Sequence, residues 1–252
     1  MPFLARVKDL PWRILSLEFV VVVLGILCAL AADSWWQSVQ ERTIENEYLL
    51  RLAGDLQISR DSLIAEMASH RRNADSTRLV LIELRTGPNP GGNELLRNAL
   101  GFGTTLNVWY PYHTTYEELL STGNLALISS ATLRAALGAY DRAVRDNADW
   151  DDWMEKQYLA TVEPVIMSNL VYSDVVPGWA QRRNIPASRF EEDFSSLYVD
   201  RAFWNALTVK LEIEEGVLEA RERLLGSLES ALELTQEEIA LRGMTMDDGH
   251  GS

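Results

Sequence analysis

Apolar residues run almost without interruption from Ile14 to Ala32 (ILSLEFVVVVLGILCALAA), a stretch with Glu18 as its one charge. As a helix it would be about 28 Å long, which matches the hydrocarbon core of a bilayer. Trp12 precedes it, and Trp35 and Trp36 follow, where interfacial aromatic anchors belong. The pattern predicts a short tail over 1–13 and a transmembrane helix over 14–32. A cleaved signal peptide is the competing reading, because Ala29, Leu30 and Ala31 have the form of a cleavage site. Against it, the helical and aromatic pattern passes straight through that site.

Beyond the span the period becomes amphipathic. Ile44, Tyr48, Leu52 and Leu56 repeat every four residues with Leu49 beside them, and Leu63, Ile64 and Met67 continue the stripe. The polar stretch from His70 to Thr77 is expected to loosen the helix, and the Gly/Pro cluster at 87–92 to end it. A short helix follows over 93–100. Gly, β-branched and aromatic residues then make 101–113 irregular or extended. Helical pattern returns over 115–120, stops at Gly123 and Asn124, and resumes after a Ser129 or Ser130 cap toward Tyr172, with a break at Pro164. Residues 174–195 read as the longest loop. Trp204, Leu211, Leu218, Leu225, Leu232 and Ile239 then recur every seven residues, predicting a long last helix packed antiparallel on the 33–85 helix. The shorter helices of 93–173 would be inserted between them; self-association through the same seam is the alternative. The fold class expected is all-α: one transmembrane helix continuing into a long-helix bundle over 33–241, with a polar tail over 242–252.

Charge then orients the chain. Up to Ala32, Arg6, Lys8 and Arg13 stand against Asp9 and Glu18, a balance of +1; with −14 overall, residues 33–252 carry −15. Basic residues before the span place the N-terminus in the cytoplasm and the domain outside, in the periplasm of a cell with an inner membrane. So acidic a domain argues against nucleic-acid binding. Cys28 is the only cysteine and lies in the span, which leaves the outer domain without disulfides or thiolate metal ligands.

One face of the span is distinctive. Glu18, Val21, Val22, Gly25, Cys28, Ala29 and Ala32 fall on one stripe. Gly25 and Ala29 make a small-x-x-x-small pair that admits a neighbouring helix. Glu18, about one turn inside the interface, needs a donor or must reach the headgroups with Ser16 and Arg13.

Two blocks carry a resemblance. The anchor from Glu18 to Trp35, with Gly25-Ile26-Leu27 and Ala29-Leu30 in its middle, resembles the opening of a bacterial family of single-span proteins of unknown function. The block from Thr115 to Ser129 (TYEELLSTGNLALIS), followed by Leu133, Arg134 and Tyr140, is similar to that family's internal signature. The likeness covers roughly residues 14–145. It departs at Ala31, Ala32 and Asp33, where the family is usually more polar. The resemblance implies a membrane-anchored helical domain and brings no catalytic residue with it.

Candidate chemistry is sparse. Glu66 and His70 share a helical face, but without a second Glu-x-x-His they read as surface polar residues. Trp109, Tyr110, Tyr112, His113 and Tyr116 cluster in sequence and would line either a pocket or an interface. Trp150 and Trp153, set among Asp149, Asp151 and Asp152, suit a basic partner or a core. Asp151–Asp152, Glu191–Glu192 and Glu237–Glu238 read as solvated pairs. No phosphate loop, nucleophile elbow or metalloprotease helix occurs. The expectation is a non-catalytic interaction or structural protein without cofactor or metal, an accessory subunit of a respiratory or photosynthetic inner-membrane complex. Its partners would be the bilayer and a transmembrane helix of another protein or of itself. A periplasmic sensor signalling through a partner is the alternative, since a 13-residue tail holds no output domain.

Overall fold

A computed structural model describes residues 12–103, 108–175, 177–186, 188–190 and 194–245, with side chains from Glu18 onward except at 102–103 and 177–179. His250, Glu191, Glu192 and the Trp12 side chain lie outside the described residues. The chain is all-α, with no strand among the described residues.

Helix α1 runs from Trp12 to Thr86 without a break, about 112 Å at helical rise. Its N-terminal part is apolar enough to cross a membrane: an 18-residue window has a mean hydropathy of 2.0, and none of the described residues buries it. The side chains from Glu18 to Ile44 are almost all exposed, so the bundle begins only at Glu45. The stretch from His70 to Thr77 does not loosen the helix. His70, Asn73 and Thr77 are buried because they point into the interface with the last helix, α8 (Arg201–Leu241).

The two long helices pack antiparallel, as the ties Arg242 to Glu45 and Arg78 to Glu215 require. Both carry a heptad seam with steps of three and four. On α8 it is Phe203, Leu207, Lys210, Glu214, Val217, Arg221, Leu224, Leu228, Ala231 and Thr235, all buried. On α1 it includes Leu49, Leu52, Leu56, Ser59, Leu63, Glu66, His70, Asn73, Thr77, Val80 and Leu84. The row expected from apolar spacing lies one position aside: Trp204 is 38% exposed, and only Leu232 and Ile239 of that row are buried. Counting apolar residues passes over Lys210, Glu214, Arg221 and Thr235, and so assigns the seam to its shoulder.

The shorter helices flank this pair rather than separating it. After the turn at 87–91, α2 (Gly92–Gly103) folds back on α1. An extended segment at 108–113 leads to α3 (Thr114–Ser121), which ends at Gly123 in the left-handed conformation (φ 75°). Ser130 caps α4 (Ala131–Gln157) by accepting from the Leu133 amide at 3.3 Å. A single π turn, Tyr158–Val162, joins α4 to α5 (Glu163–Asn169). Pro164 accounts for it: without an amide hydrogen, and with its ring against the preceding turn, it cannot continue a regular α ladder. The expected loop at 174–195 is broken by α6 (Tyr172–Val175), α7 (Pro177–Arg182) and a 3-10 turn at Phe194–Val199.

Two glycines should separate close packing from helix propensity. A Cβ at Gly101 would overlap the Val175 carbonyl, whereas Gly226 on α8 faces open space. Gly101→Ala is expected to lower stability by about 1–3 kcal/mol, and Gly226→Ala to raise it by about 0.5–1 kcal/mol. Urea unfolding of the full chain in detergent measures both.

Candidate functional site

The polar seam positions of α1 and α8 meet in one buried array. Lys210 and Glu214, one turn apart on α8, form a buried ion pair. Glu214 also binds Nδ1 of His70, which is fully buried, and accepts a long bond from Asn73 Nδ2 at 3.4 Å. The other ring nitrogen, Nε2, lies 2.7 Å from Glu66 Oε1. Glu66 then meets Arg221 at 3.3 and 3.4 Å. Arg221 forks onto both oxygens of Asp151 on α4, at 2.7 and 2.9 Å, and donates to Asn147 Oδ1 at 2.9 Å. An aromatic ring covers each end: Tyr158 of the π turn over Lys210 (5.1 Å) and Trp109 over Arg221 (5.8 Å).

This corrects the surface reading of Glu66 and His70, and the solvated reading of Asp151. Asp151 is buried while its neighbour Asp152 is exposed. With His70 protonated, three acids face three cations and the array is neutral. Buried charge is tolerable only when paired in this way. Burial alone would lower the His70 pKa, but the hydrogen bonds its ring donates to Glu214 and Glu66, and their negative charges, raise it to about 9. Burial likewise works against an ionised Glu214, yet His70 and Lys210 outweigh it and hold its carboxyl below the ordinary range. At Asp151 burial prevails over Arg221, and the carboxyl is raised. Among the described residues no cluster of three or more His, Cys, Asp or Glu is arranged to hold a metal ion.

The aromatic segment before α3 roofs this array. Trp109 is buried and donates from Nε1 to Ser62 Oγ at 2.9 Å. Buried Ser59 donates to the Tyr112 carbonyl (2.8 Å) and accepts from the Tyr112 amide (2.7 Å), so one side chain satisfies both backbone groups of an extended residue. Tyr116 is buried in the core, Tyr110 is 80% exposed, and Tyr112 is exposed beside the partly exposed His113. Between this segment and α4 lies a groove of about 230 Å³, lined by Trp109, Tyr110, Asp152 and Glu155, with Asn147, Asp151 and Arg221 at its base. The sequence cluster is thus divided: Trp109 and Tyr110 line the groove, whereas Tyr112, His113 and Tyr116 do not. Trp150 and Trp153 stand edge to face at 5.2 Å on another side of α4, away from this groove.

A second polar lock closes the end of the bundle nearest the apolar part of α1. Arg242, just past α8, donates to Glu45 (2.6 Å), Asn46 (2.8 Å) and Ser129 Oγ (2.9 Å). The Thr115–Ser129 block is laced to α1 by the same kind of contact. Its Thr115 amide donates to Asp55 (2.8 Å), its Glu118 takes Arg51 and the Tyr48 hydroxyl, and its Ser129 amide donates to Glu45 (2.6 Å). Val22, Gly25, Cys28, Ala29 and Ala32, with Glu18, Trp35 and Trp36, are left uncovered by the described residues.

No family model matches this chain, and no curated protein or solved structure is significantly similar to it.

Two outcomes test the array. Because the folded pKa of His70 lies above its unfolded value near 6.5, its contribution is complete below about pH 6.5 and lost as pH rises to about 9. Unfolding free energy is expected to fall by about 3 kcal/mol across that window and to stay flat in His70→Gln; equal slopes in the two proteins would remove His70 from the array. Arg221→Met, which strands Asp151 and Glu66, should cost about 3–5 kcal/mol, with part recovered by adding Asp151→Leu.

Proposed function

We propose that this chain is a non-catalytic, membrane-anchored interaction protein, an accessory subunit of a larger complex in a bacterial inner membrane. Its N-terminus lies in the cytoplasm and its acidic bundle in the periplasm. The observation that carries this reading is the unbroken helix α1: its N-terminal part is an uncovered apolar segment, and its C-terminal part is locked into a bundle whose interior charges are engaged with one another. Such a helix holds a recognition surface at a fixed height above the bilayer. The basic residues ahead of the span support the orientation. The resemblance of the anchor and of the Thr115–Ser129 block to single-span bacterial proteins agrees with it. Respiratory or photosynthetic assemblies are the class of complex proposed, and the stripe from Glu18 to Ala32 is the contact proposed within the membrane.

The groove beneath Trp109 and Tyr110 favours a second reading, a ligand-binding module that signals through a partner. Native mass spectrometry of the full chain separates the two. A retained small molecule that Tyr110→Ala with Glu155→Ala releases would support the sensor; the bare chain mass in both proteins would exclude it.

Extraction of the native membrane with mild detergent tests the leading reading. The chain is expected to co-purify with other membrane proteins, and Glu18→Leu with Gly25→Leu to release it while it stays folded. A chain that runs alone, or an assembly indifferent to both substitutions, would sink the proposal.

A further inference from the structure

The outer side of the α4–α8 pair carries a groove with no occupant among the described residues. It consists of two depressions of about 520 and 590 Å³ that share Trp150. Trp150 rests on α8 where Gly216 removes a side chain: a Cβ there would come within 3.4 Å of the ring. Trp153 stands beside it, 41% exposed, next to Leu211. The wall of the Trp153 half is acidic, formed by Glu212, Glu215 and Glu219 with no basic residue, whereas the other half carries Arg142 and Arg223 beside Asp146 and Asp149. Glu215 is paired with Arg78, whereas Glu212 and Glu219 are exposed and make no ion pair among the described residues. An exposed tryptophan set among unpaired carboxylates fits a basic segment that also carries an apolar side chain.

The chain itself has such a segment. From Val175 to Phe190 it contains Arg182, Arg183 and Arg189 and no acid, within a domain of charge −15. Arg182 ends α7 and Arg183 follows it; both are exposed and make no ion pair among the described residues, and Ile185 comes after them at 38% exposure. The heights agree as well. Gly92 of α2 sits against Glu83, and Gly101, about 13 Å nearer the membrane, lies beside the Val175 carbonyl. This brings Val175, at the end of α6, near the level of Ala74 on α1, and α7 packs against α6. The groove is level with Arg78, the partner of Glu215. Copies anchored in one bilayer stand parallel, so the basic segment of one meets the groove of the next at equal height and at raised effective concentration.

We infer that the Trp150–Trp153 groove is the docking site for the Arg182–Ile185 segment of a second copy of this chain. The inference rests on the anchored-subunit reading and adds a homotypic contact to it. Because two different patches meet, the contact is heterologous and builds a ring or a row in the membrane plane.

The test uses the full chain with Cys28→Ser, in two single-cysteine versions, Trp153→Cys and Ile185→Cys, co-expressed in one membrane. Mild oxidation is expected to link the mixed pair, with each version alone giving about tenfold less. Glu212→Arg with Glu219→Arg should cut the mixed yield by about tenfold or more, as should Arg182→Glu with Arg183→Glu, and the two reversals placed in opposite partners should restore it. If a reversal disturbs folding, as circular dichroism would show, the fall of the mixed yield with rising salt carries the test in its place. An absent mixed disulfide, a yield indifferent to charge reversal or to salt, or a reversal pair that does not restore linkage would overturn the inference. Linkage at Trp153→Cys to a different protein, with none to Ile185→Cys, would also overturn it while leaving the accessory-subunit reading intact.

Discussion

The rest of the structure depends on the neutrality of the charges buried between α1 and α8. Lys210, Glu214, His70, Glu66, Arg221 and Asp151 alternate in sign, so each is held by the next and none is left without a counter-charge. An apolar seam of the same length would stabilise the pair at many registers. A charged seam permits one, because a slip of one turn would set like charges opposite each other. The array thereby fixes which turn of α8 faces which turn of α1. Through Asp151 it also sets where α4 lies, and through Trp109 and Tyr158 it positions the extended segment and the π turn.

Much of this architecture was legible in the sequence. The span, the long first and last helices, their antiparallel pairing, the stop at 87–92 and the Ser130 cap all follow from hydropathy, period and turn chemistry. What was not legible was the seam itself. Apolar spacing selected Trp204 and Leu211 because the true seam places Lys210, Glu214 and Arg221 among its hydrophobic residues. The signal was nevertheless there: Glu66–His70 and Lys210–Glu214 are both acid–base pairs at one-turn spacing on helices expected to be partners. Taken singly, each pair looks like a solvated face. Taken together across an antiparallel pair, they complete each other.

The aromatic segment at 108–113 shows the opposite limit. Its composition indicated irregular or extended chain, but not that Ser59, a fully buried serine on α1, would satisfy the backbone of Tyr112, nor that Trp109 would stack over Arg221. Those contacts depend on positions 47 to 112 residues apart, and no local pattern encodes them. The Thr115–Ser129 block is clearer in retrospect. Its acids, hydroxyls and amides meet complementary groups on α1, which accounts for Glu118 and Ser129 standing where they do.

The stretch of α1 from Asp33 to Ile44 is bare helix, with no joint between the apolar segment and the bundle. Each residue of such a neck sets an azimuth as well as a height, about 100° and 1.5 Å apiece. The direction in which any face of the apolar segment points therefore determines the compass bearing of Trp153 far along the helix. In this molecule the two faces are locked in phase, and the neck works as an angular coupling as much as a spacer.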